Sequence, residues 1–324
     1  MLPPRLRRWG RYGWRLLAVA ACYYAGARVG LLQALVNDQV TPLWPPTGVG
    51  LLALLLGGLR MWPGIALGAL AVNASFGNLW WASVISAGNT LGPVATYLLL
   101  RRVGLRRELD RPRDAIALVS LGLAGMLVSA TVGSGSLVLS GAVGEERFWS
   151  SWLVWWTGDA MGALVVVPLG LAVEQTLKRG TGRGAAHRWA EAAVLFATTT
   201  AVMLVATTDL ARLLYLVFPF LIWGALRFQH LGTAPCALIA CVVAARGASV
   251  GAGPFSGSDL AVDMVTLQAY NGTVVLSGLV LSAVIAERNA GRRAIERTCA
   301  QLAEVVAKYP PPLGELLPEQ RGDR

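Results

Sequence analysis

Apolar residues in this chain come in long unbroken blocks, and polar residues gather in the short gaps between them. Residues 16–36, 82–100, 190–206 and 265–286 are near or above the roughly 20 apolar residues that cross a bilayer as a helix. A helix satisfies its own backbone N–H and C=O groups, which hydrocarbon cannot do. The strict apolar/polar alternation of a membrane β-barrel is not seen. The blocks predict spans near residues 15–36, 47–59, 62–76, 82–100, 114–140, 150–175, 189–207, 213–226, 231–248 and 265–287. The second and third are short and are joined by residues 57–63. They count either as two crossings or as a hairpin that stops short. Without them eight spans remain and both chain ends keep the same side. The expected fold is an all-α polytopic transmembrane helical bundle of 8–10 spans.

Composition agrees with this pattern. The 324 residues are 55% hydrophobic and 14% charged, against roughly 25% charged in soluble domains, and the mean hydropathy is +0.55. A net charge of +10 would suit a nucleic-acid binder, but the positions of the charges argue otherwise. Most of the 28 basic residues fall in every second gap: Arg5 to Arg15, Arg60, Arg101 to Arg113, Lys178 to Arg188, Arg227, and the tail from Arg288. The alternate gaps are nearly free of Lys and Arg. This is the positive-inside pattern, which predicts both termini in the cytoplasm. The charge is then a topology signal aided by anionic lipid, and no nucleic-acid partner is expected. The lipid bilayer is the expected surrounding, in the inner or plasma membrane of a bacterium. The oligomeric state is left open. The first block also resembles a signal peptide ending at Ala25-Gly26-Ala27, though the many later spans favour an uncleaved helix.

Several chemistries are disfavoured. Cys22, Cys236, Cys241 and Cys299 form no C-x-x-C pair, and His187 stands apart from His230, so neither metal nor disulfide framework is expected. No nucleotide-binding loop, zinc-protease motif or nucleophile elbow is present. No cofactor and no catalytic residues are expected.

The informative residues are polar ones deep in apolar blocks, where an ionisable side chain costs roughly 2.5–3.5 kcal/mol on insertion scales. Asp159 is the foremost, in Trp155-Trp156-Thr157-Gly158-Asp159-Ala160-Met161-Gly162. The tryptophans enter from the outer side, placing Asp159 about two turns below the surface. Gly158 and Gly162 are spaced to admit a neighbouring helix. Asp159 could meet a cation, relay a proton or anchor a ligand; equally, it could make a structural bond to Asn89, Thr90 or Arg28. Asn73 and Asn89 are intramembrane amides, read as helix–helix glue or as ligand contacts. Arg28 needs a carboxylate or a wet cavity, and Asp159 is the candidate. Trp44-Pro45-Pro46 breaks the backbone at the outer edge, which suits the lip of an extracytoplasmic pocket. The candidate ligand or signalling residues are therefore Arg28, Trp44, Pro45, Pro46, Asn73, Asn89, Trp156 and Asp159.

Taken in order, these segments resemble MASE1, the membrane-associated sensor domain. Trp44-Pro45-Pro46-Thr47-Gly48, Leu56-Gly57-Gly58, Trp62-Pro63-Gly64, Gly68-Ala69 and Asn73 match its opening. Ala87-Gly88-Asn89-Thr90-Leu91, Ser129-Ala130-Thr131-Val132-Gly133 and the tryptophan–Asp159 segment through Val167-Pro168-Leu169 are similar to its middle. Phe218-Pro219-Phe220 through Arg227, and Glu287-Arg288, are similar to its second half. The resemblance covers roughly residues 15–290. It departs at Gly92, followed by Pro93, where the family places an acidic residue. The resemblance implies a bacterial input module of the kind fused to cyclase, phosphodiesterase, PAS or kinase domains.

The domain plan expected is a basic cytoplasmic N-terminus over residues 1–14, a MASE1-like membrane domain over 15–287, and a short cytoplasmic tail over 288–324. The 36 residues from Asn289 are too few for a cyclase or kinase domain, so a separate cytoplasmic partner, a kinase or a cyclic-di-GMP enzyme, is expected to supply the output. A helix is predicted over 286–306, ended by Pro310-Pro311-Pro312 and followed by a disordered end. It either docks that partner or is only a solvated terminus. The expected function is a non-catalytic sensory module for an unknown ligand or partner. The alternatives are a small-solute transporter or channel and, with less support from Asp159, Asp209 and Asp263, a lipid-modifying enzyme.

Overall fold

The computed structural model describes residues 4–33, 41–179, 185–208, 213–256 and 259–308. Among these, every regular element is helical. The α-helices are α1 (Pro4–Gly30), α2 (Pro45–Gly57), α3 (Trp62–Asn73), α4 (Leu79–Arg102), α5 (Pro112–Leu139), α6 (Phe148–Arg179), α7 (Ala185–Ala206), α8 (Phe218–Phe228), α9 (His230–Ser249) and α10 (Leu260–Lys308). Short 3₁₀ turns join several of them, including Leu59–Met61 between α2 and α3. The expected membrane blocks thus each become one helix.

Local chemistry sets the boundaries. Prolines open α2, α3, α5 and α8, where their fixed φ suits a first turn and the missing N–H has no helical partner anyway. Asn78 caps α4, its side chain accepting from the Trp80 N–H at 2.8 Å. Serines and threonines inside the helices turn their hydroxyls back onto the carbonyl four residues earlier. Ser86 to Ala82, Thr90 to Ser86 and Thr96 to Gly92 do so in α4. Such bonds let a polar helix run through an apolar medium without orphan hydroxyls.

Five helical stretches are long and apolar enough to cross a membrane: Pro112–Leu139, Glu145–Lys178, His187–Ala206, His230–Phe255 and Ala261–Val305. α2 and α3, of 13 and 12 residues, reach about 20 and 18 Å, short of the roughly 30 Å hydrocarbon core.

Packing divides into a small core and a large one. α1, α2 and α3 enclose Tyr23, Ala27, Leu54, Met61, Ile65, Ala69 and Val72. The larger core runs from α2 and α4 through α5 and α6 to α7–α10. α6 is its axis, packing on α2, α5, α9 and α10. The outer surface is apolar. Trp80 and Trp149 stand exposed at one end, with Trp14, Trp62 and Trp189 exposed toward the other, the distribution of two interfacial aromatic belts.

Contacts between successive turns define those two ends. Tyr12 donates to the Arg60 carbonyl at 2.8 Å, Gln175 to the Arg107 carbonyl at 3.0 Å, and Arg227 pairs with Glu191 at 2.6 Å. Together with the parallel packing of α2 on α6, Gly48 against Gly162 and Leu52 against Gly170, these place the α2–α3, α4–α5, α6–α7 and α8–α9 turns at one end. That end carries Arg60, Arg101, Arg102, Arg106, Arg107, Arg111, Arg113, Lys178, Arg188 and Arg227. Among the described residues the opposite end carries Arg28, Arg147 and Arg246. α10 leaves the bundle at the basic end, and from Gly291 its described side chains are exposed. The helix predicted over 286–306 is therefore its continuation. The expected proline stop and disordered end lie outside the described residues.

Candidate functional site

The site forms where α2 begins against α6. The segment before α2 lies across α6 so closely that a Cβ at Gly158 would collide with the Thr41 carbonyl, and one at Gly162 with the Trp44 carbonyl. From the other side, a Cβ at Gly48 would collide with the Gly162 carbonyl. The Trp44 N–H donates to the Gly158 carbonyl at 2.9 Å. Three glycines thus permit a backbone-to-backbone seam, the close approach that small residues allow in membranes.

Asp159 stands on that seam, 1% exposed. The Thr47 hydroxyl donates to its Oδ1. Its Oδ2 has no hydrogen-bond partner, although Ser129 and Trp155 stand beside the carboxylate. The first turn of α2 presents the positive end of its helix dipole to this charge. Tyr23, fully buried in α1, has a hydroxyl without a partner, with Trp44 and Asn89 next to it and Asp159 within electrostatic reach. Asn89 accepts from Ser129 Oγ at 3.1 Å. Asn73 donates to the Ala69 carbonyl at 3.0 Å and to Ser86 Oγ at 3.2 Å.

A cavity of about 20 Å³ opens among Thr41, Trp44, Asn73, Asn89, Trp155 and Asp159, room for about one water molecule. Of the polar atoms lining it, Asp159 Oδ2 has no partner, and the Tyr23 hydroxyl, also without one, is buried within electrostatic reach of that carboxylate. Burying such groups in apolar surroundings costs free energy unless something bonds them. Chemically the site offers a carboxylate acceptor, a phenol donor and an amide. It can hold water, a cationic or hydroxyl-bearing group, or a proton in transit.

Of the candidate residues, Trp44, Asn73, Asn89 and Asp159 come together here. Pro45 and Pro46 pack against α1, where a Cβ at Gly26 would meet them at 3.5–3.6 Å. Trp156 donates through Nε1 to the Leu123 carbonyl at 2.8 Å and stacks on Trp152; its neighbour Trp155 faces the cavity instead. Arg28 is exposed in the last turn of α1 and makes no ion pair with Asp159. Thr90 bonds Ser86 within its own helix. The partner of Asp159 is Thr47, which the sequence placed in the segment over residues 44–48 without pairing it to Asp159; Ser129 and Trp155 stood there only within longer motifs, and Tyr23 was not singled out.

Gly92, where the resemblance implies an acidic residue, sits against Ser129, and a Cβ there would meet the Ser129 Cβ at 3.0 Å. A second polar cluster also escaped the sequence reading. Gln268 and Asn271 are buried in α10, and no side-chain oxygen or nitrogen of either has a hydrogen-bond partner. Among the described residues no group of three His, Cys, Asp or Glu is placed to hold a metal.

The MASE1 family profile matches residues 15–289. The chain is 28% identical over 211 residues to the probable diguanylate cyclase DgcE of Escherichia coli strain K12, an alignment covering 60% of this chain and 18% of that protein. The chain thus corresponds to under a fifth of this relative. No solved structure matches the chain. A family profile spanning the bundle from within α1 to the exit of α10 places this chain in MASE1, a membrane sensory domain.

Proposed function

We propose that the chain is a non-catalytic signal-input module of a bacterial inner membrane, with eight to ten crossings, its basic end in the cytoplasm and the Asp159 cavity toward the outer side. The basic residues gathered at one end support that orientation through the positive-inside rule. The observation that carries the reading is the buried Asp159 carboxylate, its Oδ2 without a hydrogen-bond partner, lining a cavity with room for about one water. Any larger ligand, or a partner membrane protein pressing on the Trp44 segment, must part the seam between α2 and α6. That gives two helix arrangements of different affinity, which a sensor requires.

α6 links this seam to α10, which it also contacts. A shift of α10 would let the amides of Gln268 and Asn271, which have no hydrogen-bond partner, gain partners. The projecting end of α10 then carries the shift to a cytoplasmic kinase or cyclic-di-GMP enzyme. The name of the Escherichia coli relative favours the latter.

Cross-linking and co-purification of the tagged chain from its native membrane test this reading, comparing full length with a chain ending at Arg288. A signalling enzyme captured by the first and lost with the second is the expected result. Absence of any such enzyme, together with solute uptake by proteoliposomes that Asp159→Asn abolishes, would replace the sensor with a transporter.

A further inference from the structure

A second and larger cavity, of about 410 Å³, lies at the basic end, far from Asp159 along the bundle. Its walls come from α6, the start of α7, the α8–α9 junction and the point where α10 leaves the bundle. Three arginines border it. Arg227 is already engaged, its Nε and one terminal nitrogen each 2.6 Å from a Glu191 oxygen. Arg188 and Arg293 have no acidic partner among the described residues, and no carboxylate lines the cavity. Arg188 is steadied over the Phe228 ring, 5.9 Å from its centroid.

His230 supplies an independent observation. It lines the cavity and is 8% exposed. Its Nε2 lies 2.9 Å from the Leu109 carbonyl oxygen, so Nε2 carries the proton and donates it there. Nδ1 is left as an acceptor with no partner. A buried acceptor of this kind calls for a donor. Asn289 and Gln175 add neutral polar groups, and Leu231 an apolar patch.

We propose that this cavity binds a phosphate ester bearing a free hydroxyl. Arg188 and Arg293 take the phosphate oxygens, and His230 Nδ1 accepts from the hydroxyl. Guanidinium groups suit phosphate through paired, charge-assisted bonds, and basic pockets at membrane surfaces hold anionic headgroups. Two sources share this chemistry: the headgroup of a lipid such as phosphatidylglycerol, and a soluble glycerol or sugar phosphate. Because Asn289 and Arg293 belong to α10 where it exits, an occupant would tie the projecting helix to α7 and to the α8–α9 turn.

The test uses the full chain in uncharged detergent, with dihexanoyl phosphatidylglycerol, glycerol 3-phosphate and dihexanoyl phosphatidylcholine as probes. Affinity is read by native mass spectrometry and by the rise in melting temperature. Phosphatidylglycerol or glycerol phosphate is expected to bind and phosphatidylcholine not to. Arg188→Gln and Arg293→Gln should each weaken binding about tenfold, the loss of one charge-assisted contact. Arg101→Gln, at the same end but outside the cavity, should leave affinity unchanged. Arg188 and Arg293 are both exposed, so both variants are expected to retain the fold. Binding of the lipid alone identifies a headgroup site, and binding of glycerol phosphate alone a soluble ligand. The proposal is overturned if neither binds, or if both arginine variants bind like the parent.

Discussion

Thr47 decides what Asp159 is worth to the fold. Its hydroxyl is the donor that the buried carboxylate receives, and Thr47→Val removes the donor while keeping the shape. Stability should fall by about 1–3 kcal/mol, the cost of leaving a buried acceptor unmade. Thermal unfolding in detergent measures it. Replacing both partners, as Thr47→Val with Asp159→Leu, should cost less than Thr47→Val alone, because no polar atom is then stranded. A double variant as stable as the parent but unable to signal would show that Asp159 serves function. The seam can be tested in the same way. Gly162→Ala puts a Cβ into the Trp44 carbonyl and should cost at least about 2 kcal/mol. Gly135→Ala, with open space around it, should stay within about 0.5 kcal/mol. Asp159, Asn73, Asn89 and Trp44 were legible in the sequence because a polar or Pro-flanked residue stands out in an apolar block. Thr47, Ser129 and Tyr23 were not, since a membrane-helix hydroxyl usually bonds its own backbone and a buried tyrosine looks like core. Trp155 and Trp156 are neighbours on a helix, about 100° apart, and sequence does not say which one faces inward.

In the proposed function, α10 is the element that carries the signal. Its 49 residues extend about 74 Å, more than twice the hydrocarbon thickness. Ala290→Pro, at the exit, should interrupt the helix there. The bundle should still melt as the parent does, because the residues beyond are exposed. Protease cleavage near residue 290 and loss of partner capture are the expected readouts. Helix boundaries were largely legible, because prolines and arginine clusters punctuate the apolar blocks, and the span predicted over 150–175 became Phe148–Arg179. The pairing of helices was not legible. Nothing in the order of blocks says that α2 lies on α6, more than 90 residues away; the glycines say only that something does. The amides of Gln268 and Asn271 were overlooked because the strongly apolar residues around them dominate the block.

At the scale of the whole molecule, orientation and coupling are the two claims. In a chain whose native cysteines are replaced by serine, Arg107→Cys should label with an impermeant maleimide only after cells are opened. Glu145→Cys, at the other end of α5, should label in intact cells. The reverse pattern would invert the topology. Coupling is tested most directly by a chimera in which residues 1–289 replace the matching segment of the Escherichia coli diguanylate cyclase relative, with cyclic-di-GMP measured in cells. The parent chimera is compared with Asp159→Asn and Tyr23→Phe at equal membrane abundance. The account predicts that both substitutions change cyclic-di-GMP output severalfold, because they alter the seam that α6 transmits to α10. Equal output from all three would contradict it, and would leave Asp159 as a structural residue in a membrane anchor.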